Sequence, residues 1–197
     1  MQKLPRTFYL RDSLTVAKDL LGKYLVHVSP EGKTVGKIVE TEAYRGPMDA
    51  AAHSYSGKLT KRTQIMFGPG GYAYVFLIYG MYWCFNVVTG PENSPEVVLV
   101  RALEPISGIE LMQQRRCTTK LTNLCSGPGK LCTAMGISKD QYGVDLCGDS
   151  LYLLSGEYVA EEDIAATPRI NVSYAGEAAS YPWRFIIKNS PFVSVKS

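Results

Sequence analysis

A chain of 197 residues, 46% hydrophobic and 20% charged, has the length of one domain and the composition of an ordinary globular protein. Its net charge of +3 is too small to identify a polyanionic partner, and its longest apolar stretch, Tyr72–Tyr79, is far short of a bilayer span, so no membrane partner is expected. The opening Met1-Gln-Lys-Leu-Pro-Arg6 has no charged-then-apolar leader pattern, which favours a cytoplasmic protein. The first predicted element is a helix over Asp12–Gly22, with Ser13 as N-cap, an apolar stripe of Leu14, Ala17, Leu20 and Leu21, and Gly22 as the stop. Strands follow at Tyr24–Val28 and Thr34–Tyr44, joined by a turn at Pro30-Glu-Gly32. A loop rich in small residues and lysine runs from Arg45 to about Gln64. Strands are next expected at Tyr72–Tyr79 and Tyr82–Val88 around a break at Gly80, then at Val97–Ala102. Helices are read at Ile106–Arg116 and Gly129–Met135, and late strands at Leu151–Leu154 and Arg184–Lys188. Strands dominate and the connections are mostly too short for crossover helices. The expectation is an α+β fold, one domain over residues 1–197, with a mixed, mostly antiparallel sheet and peripheral helices.

The cysteines are an odd five, with no Cys-x-x-Cys pair. Four lie between 117 and 147, but their spacing suits no structural zinc site, so scattered buried thiols and no metal are expected. Two basic clusters stand out: Lys58, Lys61 and Arg62 in one, and Arg115, Arg116, Lys120 and Lys130 in the other. Each could be a solvated face, and charge alone does not point to nucleic acid.

Ile38-Val-Glu-Thr-Glu-Ala-Tyr44 is the most informative segment. Strand alternation puts Glu40, Glu42 and Tyr44 on one face, with Val39, Thr41 and Ala43 on the other. Two carboxylates on an apolar strand are costly unless they are solvated or employed, and paired carboxylates are the usual tools of glycosidic hydrolysis. His53 closes a run of small residues that would let backbone approach a ligand. The stretch Tyr72-Ala-Tyr-Val-Phe-Leu-Ile-Tyr-Gly-Met-Tyr-Trp83 is unusually aromatic, and Tyr79 sits on a turn beside Met81, as a wedge between base pairs would.

Glu40-Thr-Glu-Ala-Tyr-Arg-Gly-Pro47, Ala51-Ala-His-Ser54, Met66-Phe67, Ile78-Tyr-Gly-Met-Tyr82, Arg101-Ala-Leu-Glu-Pro105 and Ser126-Gly-Pro-Gly-Lys130 resemble the alkyladenine (3-methyladenine) DNA glycosylase family. Arg169, Ala175-Gly-Glu177 and Ser190-Pro-Phe-Val-Ser194 extend the likeness over nearly the whole chain. The resemblance implies an enzyme without cofactor that flips 3-methyladenine, 7-methylguanine, hypoxanthine or ethenoadenine from double-stranded DNA and hydrolyses the N-glycosidic bond. Position by position it implies Glu42 as the base that activates water, with Arg101 and the backbone carbonyl of Ile170 holding that water. Tyr44, His53 and Phe76 become walls of the base pocket, Ala51 an amide donor to the base, and Asn86 an amide that disfavours normal guanine. Tyr79, with Met81 beside it, becomes the intercalating residue, while Lys58, Thr60 and Lys130 touch the DNA backbone. Phe76 departs from the tyrosine of well-known members, which keeps a stacking face and loses a hydroxyl. The likeness further implies a compact bacterial form, a monomer, associated with the nucleoid. Two other readings use the same residues: a module that binds damaged DNA without catalysis, and a carbohydrate glycosidase employing Glu40 and Glu42.

Overall fold

The computed structural model describes residues 1–196. Two short helices open the chain, α1 (Arg6–Tyr9) and α2 (Ser13–Asp19). Asp12 caps α2, accepting from the amides of Leu14 and Thr15 at 3.1 and 3.0 Å. The N-cap therefore lies one residue before Ser13, whose hydroxyl and amide go to the Glu96 carboxylate instead. Strands β1 (Tyr24–Ser29) and β2 (Gly32–Tyr44) form a hairpin closed by the Ser29–Gly32 pair. Then come β3 (Ala73–Ile78), β4 (Tyr82–Thr89) and β5 (Glu96–Ser107), the helices α3 (Ile109–Arg116) and α4 (Pro128–Met135), and the strands β6 (Leu151–Leu154), β7 (Ile164–Thr167) and β8 (Arg184–Ile187). No helix among the described residues is long and apolar enough to cross a membrane.

All eight strands belong to one sheet, in the order β3-β4-β5-β2-β1-β6, with β8 also on β2 and β7 on β8. Every strand pairing described is antiparallel, so the expected mixed sheet is antiparallel throughout. The long β2 is the axis of the fold. Its first half pairs with β1, and where β1 leaves, β8 takes over opposite Glu40–Glu42. Both faces of β2 are covered there, and Ile38 to Ala43 are buried without interruption.

The two faces of the sheet have different jobs, and the register shows which residue does which. Ala73, Val87, Val98 and Ala43 stand opposite one another across β3, β4, β5 and β2, and all four belong to the main core. Helices α2 and α4 pack on that side through Val16, Ala17, Leu131 and Cys132. Fully burying a side chain such as Val16 or Leu131 stabilises by about 1.5–3 kcal/mol. The neighbouring row, Tyr74, Asn86, Leu99 and Glu42, points to the opposite face because alternation reverses at every residue. That face is polar and aromatic.

Some expected boundaries move. β5 continues to Ser107 because Pro105 and Ser107 pair with Gly36 and Val35, so the helix read from Ile106 begins at Ile109. β3 ends at Ile78, leaving Tyr79 in the turn. The α1 turn and the small-residue strand Ile-Ala-Ala-Thr of β7 carry no period that sequence reading could catch. Of the cysteines, Cys84, Cys125 and Cys132 are buried, whereas Cys117 is exposed at the C-cap of α3, contrary to the expectation of buried thiols throughout.

Candidate functional site

The polar face of the sheet is the floor of a cavity of about 640 Å³. Tyr74, Phe76, Asn86, Leu99 and Arg101 line it from β3, β4 and β5, and Tyr44 from the end of β2. The loop after β2 contributes Ala51 and His53, and Asn171 and Tyr174 close another side. The start of α4 supplies Gly129 and Lys130. Gly129 is required by packing, since a Cβ there would lie 2.9 Å from the Tyr82 ring.

Glu42 is fully buried beneath Tyr44, Leu99 and Arg101 and does not itself line the cavity. Its Oε1 accepts from the Ile170 amide at 2.7 Å, and its Oε2 accepts from the Tyr44 hydroxyl at 2.9 Å. Ile170 thus reaches Glu42 through its N–H. The Nη1 of Arg101 stands 3.3 Å from Glu42 Oε1. Glu40 is equally buried, and its oxygens take donors from Arg101, Arg184 and Ser194. Burial alone would raise the Glu40 carboxyl, but the two guanidiniums and the Ser194 amide outweigh it and hold the group below its ordinary value. Register shifts at Ile38/Glu40 and Glu40/Thr41 leave Arg101 without a partner in the β2–β5 ladder, and its side chain reaches both glutamates.

The aromatic walls are coupled to one another. The His53 and Phe76 rings meet edge to face with centroids 4.6 Å apart, and Tyr74 lies 5.3 Å from Phe76. His53 Nδ1 is 2.8 Å from the Tyr74 hydroxyl. Burial, helped by the charges of Arg62 and Lys58, lowers the His53 pKa to about 4. Tyr44 moves the other way: burial and the adjacent Glu42 carboxylate raise its hydroxyl well above the ordinary value. Asn86 sits opposite Tyr74 and donates its side-chain amide to the Tyr74 carbonyl at 3.1 Å.

Behind this wall is a buried ion pair that sequence reading did not assign. Arg169 donates twice to Asp49, at 2.5 and 2.8 Å, and to the carbonyls of Ala43 and Ala178. Its guanidinium lies over the rings of Tyr44 and Trp183, at 4.6 and 5.0 Å from their centroids. Asp49 also accepts the amides of Arg45 and Ala51. The Ala51 N–H, expected to face a base, is directed at Asp49 Oδ1 at 3.0 Å. The pair thereby fixes Tyr44 and, through the next residue, the Ile170 amide. A conspicuous Arg169 in the sequence was the available signal; its partner, 120 positions earlier, had none.

At the mouth of the cavity Tyr79 is 70% exposed and Met81 65% exposed. Tyr79 has φ +54° and Gly80 φ +70°, and the Met81 amide closes the turn on the Ile78 carbonyl at 3.2 Å. A positive φ is natural for glycine and uncommon for tyrosine. Lys130 is at the rim with its Nζ bound to Asn123 Oδ1 at 2.6 Å. Lys58 and Thr60 are exposed on the loop before β3, where Thr60 and Thr63 hold each other through reciprocal hydroxyl–amide bonds. The structure therefore brings together Glu42, Arg101, Ile170, Tyr44, Ala51, His53, Phe76 and Asn86, with Tyr79 and Lys130 at the rim.

Comparison with known proteins identifies the family. Residues 7–191 match the methylpurine-DNA glycosylase family. A protein of Alkaliphilus oremlandii, provisionally named a 3-methyladenine DNA glycosylase, is 52% identical over 98% of this chain and 100% of its own. Relatives with the same provisional name in Bacillus mycoides and Desulfitobacterium hafniense are 53% and 50% identical, over 96% and 100% of this chain and 98% and 100% of theirs. With a family match across almost the whole chain and relatives of equal extent at half identity, the chain belongs to the methylpurine-DNA glycosylase family.

Proposed function

We propose that the chain is a monofunctional DNA glycosylase that acts as a monomer at the nucleoid. It takes a damaged purine out of duplex DNA and hydrolyses its N-glycosidic bond with a water activated by Glu42. The observation that carries this reading is Glu42: a buried carboxylate, held by two donors and an arginine, under an aromatic cavity whose mouth carries an exposed tyrosine. Chemistry on a base requires its extrusion from the stack, at a cost of a few kcal/mol. Tyr79 fills the vacated space, and the rings of Tyr44, His53 and Phe76 receive the base. Neutral His53, with Nδ1 facing the Tyr74 hydroxyl, presents its other nitrogen to the base as a hydrogen-bond donor.

3-Methyladenine and 7-methylguanine carry positive charge and leave readily once water attacks. The Glu42 carboxylate removes the water's proton and stabilises the cationic sugar, while Arg101 helps to hold the water. Lys58, Thr60 and Lys130 meet phosphates.

The test is release of free base from a set of duplexes, each with one lesion among 3-methyladenine, 7-methylguanine, hypoxanthine and ethenoadenine. Release of free base without strand cleavage, and without a borohydride-trapped complex, is expected. Tight binding with every base left in place would overturn the reading in favour of a damage-recognition module.

A further inference from the structure

The proposed function employs Glu42 and leaves the second buried glutamate and the Ser190–Ser194 motif without a role. All three nitrogens of the Arg101 guanidinium are accounted for. Nε donates to Glu40 Oε1 at 2.8 Å, Nη1 stands 3.3 Å from Glu42 Oε1, and Nη2 donates to the Ser194 hydroxyl at 3.3 Å. Glu40 Oε1 also accepts from Arg184 Nε and from the Ser194 hydroxyl, each at 2.8 Å, and Oε2 accepts the Ser194 amide at 2.6 Å. Arg184 reaches on to the Val195 carbonyl. The C-terminal segment is therefore bonded, at Ser194 and Val195, to the buried cluster of two arginines and two glutamates.

We propose that Glu40 and Ser194 are positioning residues for the reaction. They form a relay in which the C-terminal segment holds Glu40, and Glu40 holds Arg101 at a fixed distance from Glu42. This inference rests on Glu42 being the general base. Glu40 takes no proton itself, because two guanidiniums and the Ser194 amide and hydroxyl hold its carboxyl below the ordinary value, with three donors on Oε1 and one on Oε2. Its charge divides the attraction of Arg101 between two carboxylates. Without that charge Arg101 closes on Glu42, the paired carboxylate is a poorer base, and protons compete with it less well.

The relay predicts a signature that loss of packing would not produce. In Glu40→Gln, single-turnover base release falls roughly tenfold to a hundredfold, the range of one hydrogen bond to a charged group. Binding of lesion-bearing duplex is unchanged, and the acidic limb of the pH–rate profile moves to lower pH. The groups facing Glu42 are Tyr44 on its own strand, Cys84 from β4, Arg101 from β5, and Arg169 and Tyr174 from the segment before β8. None of these loses or gains a proton on the acid side, since burial raises both tyrosines and takes Cys84 to about 11. His53, in the same cavity, does take a proton there, with a pKa of about 4, so its ring is followed by NMR in each variant, and only a limb that moves while the His53 midpoint stays put supports the relay.

Ser194→Ala keeps every charge and the backbone amide, so it reports even if Glu40→Gln folds poorly. It should slow release severalfold and move the limb the same way by less. Normal rates with an unmoved limb in both variants, beside an inactive Glu42→Gln, would remove the relay alone. So would a rate that falls only in step with binding and melting temperature. A Glu42→Gln variant that still released base would overturn the general-base reading, and the relay with it.

Discussion

Glu40 and Glu42 stand two residues apart on one strand, both excluded from solvent, and differ in what remains of their lone pairs. Glu40 takes four donors, three on Oε1 and one on Oε2, whereas Glu42 accepts one hydrogen bond on each oxygen, with Arg101 Nη1 3.3 Å from Oε1. That difference, rather than exposure, separates a holder of arginines from a candidate base. His53 shows the same logic with the opposite charge. Its pKa of about 4 lies below the ordinary 6.5, so the native ring stays neutral while the unfolded ring takes a proton. The stability this contributes is fully present above about pH 6.5 and is lost as pH falls toward 4. Following the His53 ring protons by NMR should give a midpoint near 4. A midpoint near 6.5 would mean that the ring is solvated and does not form a wall of the cavity.

Among the elements, the β3–β4 turn is where local preference and sequence disagree. Glycine at position 80 is expected in such a turn, but tyrosine at a positive φ costs about 1–2 kcal/mol relative to a residue that tolerates it. An exposed aromatic held in that conformation points to use outside the folded chain itself. Tyr79→Asn should therefore raise stability in urea by about 1 kcal/mol. The same substitution should weaken binding to lesion-bearing duplex and slow release of well-stacked lesions. A destabilised variant with undiminished binding would make Tyr79 a packing residue.

Period-two alternation made Glu40, Glu42 and Tyr44 legible as one face, and the aromatic run made Tyr74 and Phe76 legible as another. What could not be read was their alignment. The row joining Tyr74, Asn86, Leu99, Glu42 and Arg184 depends on strand register across five strands. The bulge that frees Arg101 from the ladder leaves no period in the sequence either. Ser194 and Glu40 are 154 positions apart, and Asp49 and Arg169 are 120 apart, so only the folded chain brings them together.

At the scale of the whole molecule, a net charge of +3 is modest for a DNA-binding protein, and the placement of the charge matters more. Lys58, Lys61 and Arg62 are exposed on one loop beside the cavity, and Arg116 and Lys130 line its opposite rim. If these groups meet phosphates, affinity for undamaged duplex should fall with salt at a log–log slope of about −0.9 per phosphate. Lys58→Ala should make the slope shallower by about one such unit while leaving single-turnover release unchanged. Salt-independent binding would contradict a phosphate interface on this face.

The account as a whole rests on Glu42, and Glu42→Gln probes it with the least disturbance, keeping the shape of the side chain while removing the base and the charge. The decisive measurement is the single-turnover rate of base release from a lesion-bearing duplex, made beside a binding titration of the same DNA. General-base catalysis contributes typically ~10²–10⁴-fold, and lost stabilisation of the sugar cation adds to it. The account predicts a folded variant that binds the lesion as tightly as the wild type and releases at least ~10²-fold less base per unit time. Release within severalfold of the wild-type rate would contradict it, and a dead Glu40→Gln beside an active Glu42→Gln would assign the chemistry to the other carboxylate.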